Sequence, residues 1–223
     1  SLYRIKNRKI EWYGSNFAFS AGVSQLFDPY TGITLRHFGP MQDENAVWEE
    51  LSEGVLRVHY TEKNDADPYG AKVGYVFQMR DPFRDECGML LSGANSVTVK
   101  NTIIHFMHCM GFLAQNSGNI TVDGLSVLPE RGRTAAAASD ILHFSGCRGK
   151  VSIKNGCFKG AHDDAVNIHG THLIITERNV ADNLLTLRFM HPQTFGIGGF
   201  KTGDRIAAVN PDTLLYEGEA EVT

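Results

Sequence analysis

Residues 97–101 carry the sequence Val-Thr-Val-Lys-Asn, and two later stretches repeat its pattern: Ile-Thr-Val-Asp-Gly at 120–124 and Val-Ser-Ile-Lys-Asn at 151–155. Each stretch alternates apolar and polar residues, as a strand with one buried face does, and each ends on a residue that favours a turn. The intervals are 23 and 31 residues, and a loop around residues 129–133 lengthens the second. We interpret these stretches as successive copies of an internal repeat.

A second short strand is predicted in each repeat, at residues 112–114, 142–144 and 166–168. Each of the three has apolar residues at its first and third positions, and the first two lie at similar distances, six and seven residues, from the strand that follows them. Repeats of about 20 to 30 residues made only of strands and tight turns predict an all-β fold, a parallel β-helix in which each turn of the solenoid stacks on the last. A β-sandwich is the alternative architecture.

The sequence also predicts how the chain is organised. Residues 1–70 mix aromatic residues with turn clusters and include an alternating stretch at 55–60, so we predict an antiparallel β and loop region there, with an inserted barrel-like subdomain as one form it could take. Residues 71–223 are predicted to form the parallel β-helix catalytic region. Because the chain starts at Ser1 and stops inside a strand-like segment at residues 218–223, we expect it to be a piece of a longer protein.

Composition excludes several classes of function. The 21 basic and 25 acidic residues give a net charge of −4, which argues against a nucleic-acid partner bound through its phosphates. No run approaches the ~18 apolar residues of a membrane-spanning helix. With 42% hydrophobic residues, the chain can build a sizeable core.

Two related segments place acidic residues beside the second strand of the repeat: Ser-Asp-Ile-Leu-His-Phe at 139–144 and Asp-Asp-Ala-Val-Asn-Ile at 163–168. Asp140 and Asp164 are 24 residues apart, about one repeat, so we expect them on adjacent strands ~4.8 Å apart, with Asp163 beside them. Three crowded carboxylates repel one another, which indicates a functional site where one carboxyl holds a proton and another stays ionised. Glycoside hydrolysis needs such a pair.

Strand alternation refines this expectation. Asp140 and Asp164 share the parity of the buried apolar residues that follow them, so we predict a bend or bulge directly after each aspartate. Asp163 has the opposite parity, and we expect it to differ in environment from the Asp140/Asp164 pair. The remaining residues of that parity are predicted to face an open groove and to contact sugar hydroxyls: His143, Asn167 and His169.

Other interpretations of these residues stay open. Asp163 and Asp164 could cap a turn while Asp140 binds backbone amides, or the three carboxylates could bind calcium. The pair His105 and His108 is three residues apart on a predicted strand, so its side chains point to opposite faces, which argues against zinc.

A family resemblance rests on three motifs: Met-Gly-Phe-Leu-Ala-Gln at 110–115, Ser-Asp at 139–140 and Asp-Asp-Ala-Val-Asn-Ile-His-Gly-Thr at 163–171. With weaker matches at 193–196 and 203–205, the chain from about residue 70 to 223 resembles glycoside hydrolase family 110. The resemblance implies a right-handed parallel β-helix and an exo-acting, inverting α-1,3-galactosidase that needs no metal or other cofactor. Its partner would be a glycan with a terminal α-galactose, and its location secreted or periplasmic.

By this resemblance the catalytic residues are Asp140, Asp163 and Asp164. Gln193 and Phe195 are added as weaker candidates for substrate contacts. The aspartate spacing is also similar to that of family 28 polygalacturonases, and by that analogy Asp163 would be the general acid while Asp140 and Asp164 polarise water. Arg-x-Lys, the motif with which that family grips a uronate, occurs only at 4–6 and 148–150, before the Asp163-Asp164 pair, and we take neither as a match, so we expect a neutral sugar.

Two further functions remain as alternatives. One is a β-helix polysaccharide lyase that uses calcium and a basic residue such as Arg148 or Lys150 to abstract a proton. The other is a β-helix that binds carbohydrate without catalysis.

Overall fold

The computed structural model describes residues 2–4, 23–36, 47–53, 55–59, 72–80, 86–196 and 198–223. These residues are all-β: they form strands and one short 3-10 helix, Pro192–Thr194, as the sequence predicts. Over the same ranges, no helix is both long and apolar enough to cross a membrane. The chain divides into two compact units, Ser1–His169 and Gly170–Thr223.

The N-terminal part of the first unit contains two antiparallel sheets. One joins β1 (Leu2–Arg4), β5 (Val55–His59) and β4 (Val47–Ser52) in that order, and the other joins β3 (Ile33–Arg36), β2 (Val23–Asp28) and β6 (Val76–Arg80). The antiparallel character predicted for residues 1–70 is present in these strands, and it continues into β6, beyond residue 70.

Three parallel sheets form the rest of the first unit. The first contains β7 (Met89–Ser92), β10 (Phe112–Gln115), β13 (Leu142–Ser145) and β16 (Val166–His169); the second contains β8 (Asn95–Lys100), β11 (Gly118–Asp123) and β14 (Arg148–Lys154); the third contains β9 (Ile103–Ile104), β12 (Ser126–Val127) and β15 (Cys157–Phe158). The chain therefore visits the three sheets in the same order in three successive repeats, each of which adds one strand to each sheet, and β16 adds a fourth strand to the first sheet.

The register of these sheets agrees with the predicted repeats. Ile120 pairs with Val97 on one side and Val151 on the other, which are the first residues of the three matched stretches. In the first sheet Leu142 likewise lies between Phe112 and Val166. Parallel pairing in register is what an internal repeat produces when equivalent residues stack.

Apolar side chains from successive repeats stack into one core between the sheets. Phe112 and Phe144 are buried with their ring centroids 6.1 Å apart, and Ile120, Val122 and Leu142 are fully buried beside them. The alternation of buried and half-buried residues along β10 shows why the strands have period-two sequences.

Asparagine occupies corners of the repeat, as its turn propensity predicts. Asn101, Asn119 and Asn155 have φ values of 49°, 50° and 51°, in the left-handed region that asparagine tolerates better than most residues. Asn119 lies within β11, where the register shifts, and its amide donates to Asn95 Oδ1 at 3.0 Å, so neighbouring repeats are linked there.

The second unit differs from the parallel region. It contains two antiparallel hairpins, β17 (Leu173–Asn179) with β18 (Leu184–Phe189) and β19 (Arg205–Val209) with β20 (Tyr216–Glu221). The parallel strands predicted for residues 71–223 are thus confined to residues 89–169. The physical reason is the connection, since the short turn at 180–183 can return the chain antiparallel but is too short for a parallel crossover.

Candidate active site

Asp140 and Asp164 occupy equivalent places in two successive repeats. Each lies two residues before the paired residues Leu142 and Val166 of β13 and β16, outside the strand itself. The backbone bends at the residue that follows each aspartate, as predicted. The Ile141 amide donates to the Asp164 carbonyl at 2.9 Å, so this backbone contact fixes the two corners against each other.

The structure brings the three predicted aspartates together. Asp140, Asp163 and Asp164 each offer a carboxylate oxygen, and these oxygens all lie within 4.8 Å of one another. Residues 23 and 24 positions apart in sequence thus form one acidic cluster because one repeat stacks on the next. Three carboxylates this close cannot all be ionised without strong repulsion unless neighbouring groups or protons offset it.

Asp140 is the buried member of this cluster, with 2% of its surface exposed. Its Oδ2 accepts hydrogen bonds from His143 Nδ1 at 2.6 Å and from Asn167 Nδ2 at 3.2 Å, and its Oδ1 accepts from the Asp164 backbone amide at 3.2 Å. Burial raises the pKa of Asp140, but the His143, Asp164 and Asn167 hydrogen bonds outweigh it and hold that pKa below its usual value. Asp140 is therefore ionised at neutral pH.

Asp163 and Asp164 are more open to solvent than Asp140. Asp163 is half-buried and its backbone amide donates to the Ser139 carbonyl at 3.3 Å, whereas Asp164 is exposed. Asp140 and Asp164 therefore do not form a matched pair, because one is buried and the other exposed, while Asp163 lies between them in exposure. The reason is position in the sheet: β13 lies between β10 and β16, but β16 is the edge strand of its sheet.

His143, Asn167 and His169 lie on the side of the first sheet that carries the aspartates. His143 Nε2 lies 2.8 Å from His169 Nε2, with the two rings nearly perpendicular, and Asn167 contacts Asp140. The shared face predicted from strand parity is therefore present. Both ring nitrogens of His143 are engaged by protein groups, so in this arrangement neither ring nitrogen faces a sugar hydroxyl.

The two remaining predicted substrate contacts belong to the second unit. Gln193 lies in the 3-10 helix Pro192–Thr194, and Phe195 follows it with its ring centroid 6.5 Å from that of Phe189. Phe195 is 62% exposed. Their role in binding stays a prediction from the sequence.

Gly111 is a site residue that sequence reasoning missed. A Cβ on Gly111 would lie 2.2 Å from the Asp140 carbonyl oxygen and 2.8 Å from that of Ile141. Gly111 also has a φ of 58°, which disfavours any larger residue. The available signal was a glycine at the position where the two later repeats have Ile141 and Ala165. A residue without a Cβ at this corner leaves room for the Asp140 backbone of the next repeat.

Two metal sites were considered from the sequence: calcium at the three aspartates and zinc at His105 and His108. Across the described ranges, the aspartate cluster is the one group of three acidic, His or Cys side chains close enough to hold an ion. Close carboxylates occur without metals, so this proximity alone assigns no cation. His105 directs Nδ1 to the Leu128 carbonyl at 3.1 Å.

Arg148 and Lys150, the bases considered for a lyase, lie on β14. That strand belongs to the second parallel sheet, whereas the aspartates precede strands of the first.

Sequence comparisons identify relatives along the whole chain. An "Alpha-1,3-galactosidase A" of Bacteroides thetaiotaomicron is 41% identical over 225 residues, which include all of this chain and 38% of the relative. A protein of the same name from Akkermansia muciniphila is 38% identical, over 96% of this chain and 35% of its own length. An "Alpha-1,3-galactosidase B" of Parabacteroides distasonis is 38% identical over 65% of this chain and 24% of its own length. No protein-family model matches the sequence. The chain thus spans less than two fifths of the length of these curated relatives.

Proposed function

The chain belongs to glycoside hydrolase family 110, as its motifs predicted, and on that premise we propose that it forms the catalytic region of an exo-acting α-1,3-galactosidase. The substrate would be a glycan that ends in an α-1,3-linked galactose. The observation that carries the proposal is the cluster of Asp140, Asp163 and Asp164, with one carboxylate oxygen of each within 4.8 Å of the others. Two carboxyl groups that act as acid and base on one glycosidic bond lie within about 10 Å of each other.

The proposed architecture of the catalytic region is a right-handed parallel β-helix. Three parallel sheets that each gain one strand per repeat support it, because a chain that visits three sheets in constant rotation winds around a common core. Right-handed crossovers between parallel strands predominate strongly in proteins, which supports the handedness.

The environment of each aspartate supports a division of roles. Asp140 is buried and held ionised by His143, so it suits a base that takes a proton from water. Asp164, on the neighbouring repeat, would hold the same water, and the half-buried Asp163 would donate a proton to the departing glycosidic oxygen. In this scheme one proton passes from water to Asp140 and one from Asp163 to the leaving group, while the water oxygen bonds to the anomeric carbon.

The stereochemical outcome needs a separate test. Family resemblance favours a single displacement with inversion, for which the two carboxyl groups lie ~6.5 to 9.5 Å apart, whereas retaining pairs lie ~5 to 5.5 Å apart. The oxygen separations here, within 4.8 Å, favour the retaining geometry as the second candidate. The short distances are compatible with inversion if two aspartates hold one water molecule and the third aspartate acts as the acid. That is the arrangement we propose.

Proton NMR of the reaction with galactosyl-α-1,3-galactose tests both the hydrolase activity and its stereochemical outcome. We expect free galactose to appear first as the β-anomer. Initial α-galactose would overturn the single displacement but keep the hydrolase, and absence of any galactose release from the full chain and from the longer protein that carries it would overturn the function.

Site variants separate catalysis from binding alone. Asp163→Asn should lower kcat by about 10²- to 10⁴-fold, because loss of a general acid has effects of this size. Asp123→Asn is the matched control, since Asp123 ends β11 in another sheet and accepts a hydrogen bond from Asn155 at 2.8 Å. If Asp163→Asn changed neither turnover nor sugar binding, a non-catalytic β-helix would be the better assignment.

We also propose that the protein acts outside the cytoplasm, secreted or periplasmic, because glycans with terminal galactose are displayed there. Fractionation of cells that produce the longer protein, followed by immunodetection, tests this location.

A further inference from the structure

A chain of three side chains runs from the buried carboxylate to the protein surface. Asp140 Oδ2 lies 2.6 Å from His143 Nδ1, and His143 Nε2 lies 2.8 Å from His169 Nε2. Exposure increases along the chain: the Asp140 side chain is 3% exposed, that of His143 is 12% exposed, and His169 is an exposed residue. Because the chain uses both nitrogens of His143, the orientation of this ring is fixed at two points.

Hydrogen-bond chemistry determines which atom carries a proton. An ionised carboxylate only accepts, so the short contact to Asp140 requires a hydrogen on His143 Nδ1. The Nε2 to Nε2 contact requires one hydrogen between the two histidines. His169 therefore hydrogen-bonds to Nε2 of His143, the ring nitrogen that does not face Asp140.

We propose that His143 and His169 are positioning residues for the reaction, with His169 locking the His143 ring so that its Nδ1–H holds Asp140 ionised and correctly oriented. This inference rests on the proposed function for its catalytic consequence, because it concerns the base of that same site. It also revises the expectation that His143 contacts a sugar hydroxyl.

The neighbours of His143 support this role. Its register partners are Leu113 on β10 and Asn167 on β16, neither of which titrates. The titratable groups near it are Asp140 and His169 in direct contact, and Asp163 and Asp164 through the carboxylate cluster. His143 is thus a side chain that can carry a positive charge in direct hydrogen-bond contact with Asp140.

Two substitutions of His143 separate its two nitrogens. Asparagine places an amide N–H near the position of Nδ1, and glutamine places one near Nε2. We expect His143→Gln to lower kcat by roughly 10- to 100-fold, a size typical of residues that orient a reactive group. His143→Asn keeps an N–H toward Asp140 but loses the contact with His169, so it should lower kcat less, by roughly 3- to 10-fold. In His143→Gln the acidic limb of the pH profile should also move to higher pH, because Asp140 loses the hydrogen bond that lowers its pKa.

For His169 we expect the opposite order, with glutamine replacing the histidine better than asparagine does. His169→Asn should lower kcat by roughly 3- to 10-fold with little change in KM, and His169→Gln, which keeps a polar group near Nε2, should lower it less. His105→Gln is the matched histidine control, because His105 is exposed and contacts only the Leu128 carbonyl among the hydrogen bonds described here. If both His143 variants lost activity equally, or if KM rose while kcat stayed constant, the positioning role would be overturned in favour of a direct substrate contact.

A measurement without substrate keeps this inference separate from the proposed function. Nitrogen-15 NMR of the imidazoles in the full chain should show a protonated Nδ1 on His143, and His169→Asn should reduce the population of that form. Observation of His143 with Nδ1 unprotonated would overturn the proposal even if galactose is released. Conversely, failure of galactose release with the expected imidazole signals would overturn the proposed function and leave the hydrogen-bond chain established.

Discussion

Residues 139–145 and 163–169 are two copies of the same segment, yet their surroundings differ. Leu142 pairs with Val166 and Phe144 with Ile168, so the two backbones coincide in register. In the first copy Phe144 is fully buried, whereas in the second Ile168 is 60% exposed. The aspartates follow the same trend, from the buried Asp140 to the exposed Asp164.

The difference teaches that register and burial have separate causes in this molecule. Register follows from the segment's own alternation and corner residues, which both copies share. Burial follows from what stacks on either side, because β13 has a paired strand on both edges and β16 on one. One sequence pattern therefore produces a buried, ionised aspartate in one repeat and a solvent-exposed one in the next.

The largest effect should come from removing the buried apolar side chain of the first copy, compared with its exposed register partner in the second. Phe144→Ala should lower the free energy of unfolding by about 3 to 5 kcal/mol, because it opens a cavity where Phe144 packs beside Phe112. Ile168→Ala, its register partner, should cost less than about 1 kcal/mol because the side chain already faces solvent. Urea unfolding of both variants measures this, and equal losses would show that Ile168 is buried in solution.

A second prediction concerns the empty corner below Asp140. Gly111→Ala should destabilise the fold by roughly 2 to 4 kcal/mol, combining the cost of a left-handed alanine with a clash against the Asp140 carbonyl. Gly93→Ala is the control, since Gly93 has a φ of 62° but no atom within 4 Å of the added Cβ. It should cost only about 1 to 2 kcal/mol. Thermal and urea unfolding give the comparison, and equal costs would mean that the corner relaxes without moving Asp140.

Much of this site followed from residue patterns, and the reasons are specific. The matches of 97–101, 120–124 and 151–155 predicted the pairing of Val97, Ile120 and Val151, because parallel stacking places equivalent residues side by side. The interval between Asp140 and Asp164 then predicted the acidic cluster.

Other features depended on contacts that no single segment encodes. The alternation in Leu173–Asn179 suits parallel and antiparallel strands equally, and the short turn after it decides between them. The burial of Asp140 and the contact between His143 and His169 depend on the neighbouring repeat. Sequence parity placed His143 and His169 on one face, but it did not show that their rings contact each other.

A third prediction uses acid to compare the two aspartates. The pKa of Asp140 is lowered in the folded state, so its contribution to stability is complete above the unfolded value of about 3.9 and is lost as pH falls through the lower folded pKa. Asp140→Asn lacks this titration, so its stability should fall less steeply than that of the unsubstituted protein below about pH 4. Asp164→Asn keeps the backbone N–H that binds Asp140 and should retain the steep fall. Urea midpoints measured from pH 6 to pH 2 test this, and parallel curves for all three proteins would contradict it.

The smallest loss of stability is expected at an asparagine with a left-handed backbone conformation. It extends the comparison from the site to the links between repeats in the second parallel sheet. Asn119 has a positive φ, donates to Asn95 and accepts the Lys150 backbone N–H at 3.3 Å, so it links three repeats. Asn119→Gly keeps the backbone conformation but removes these exposed hydrogen bonds, and we expect a loss of about 0.5 to 1 kcal/mol. Asn183→Gly is the control, because Asn183 has a φ of 53° within the turn between β17 and β18, which belongs to a hairpin rather than to a parallel repeat. A cost at Asn183 as large as that at Asn119, measured by urea unfolding, would show that backbone entropy rather than the links between repeats determines the contribution of these corners.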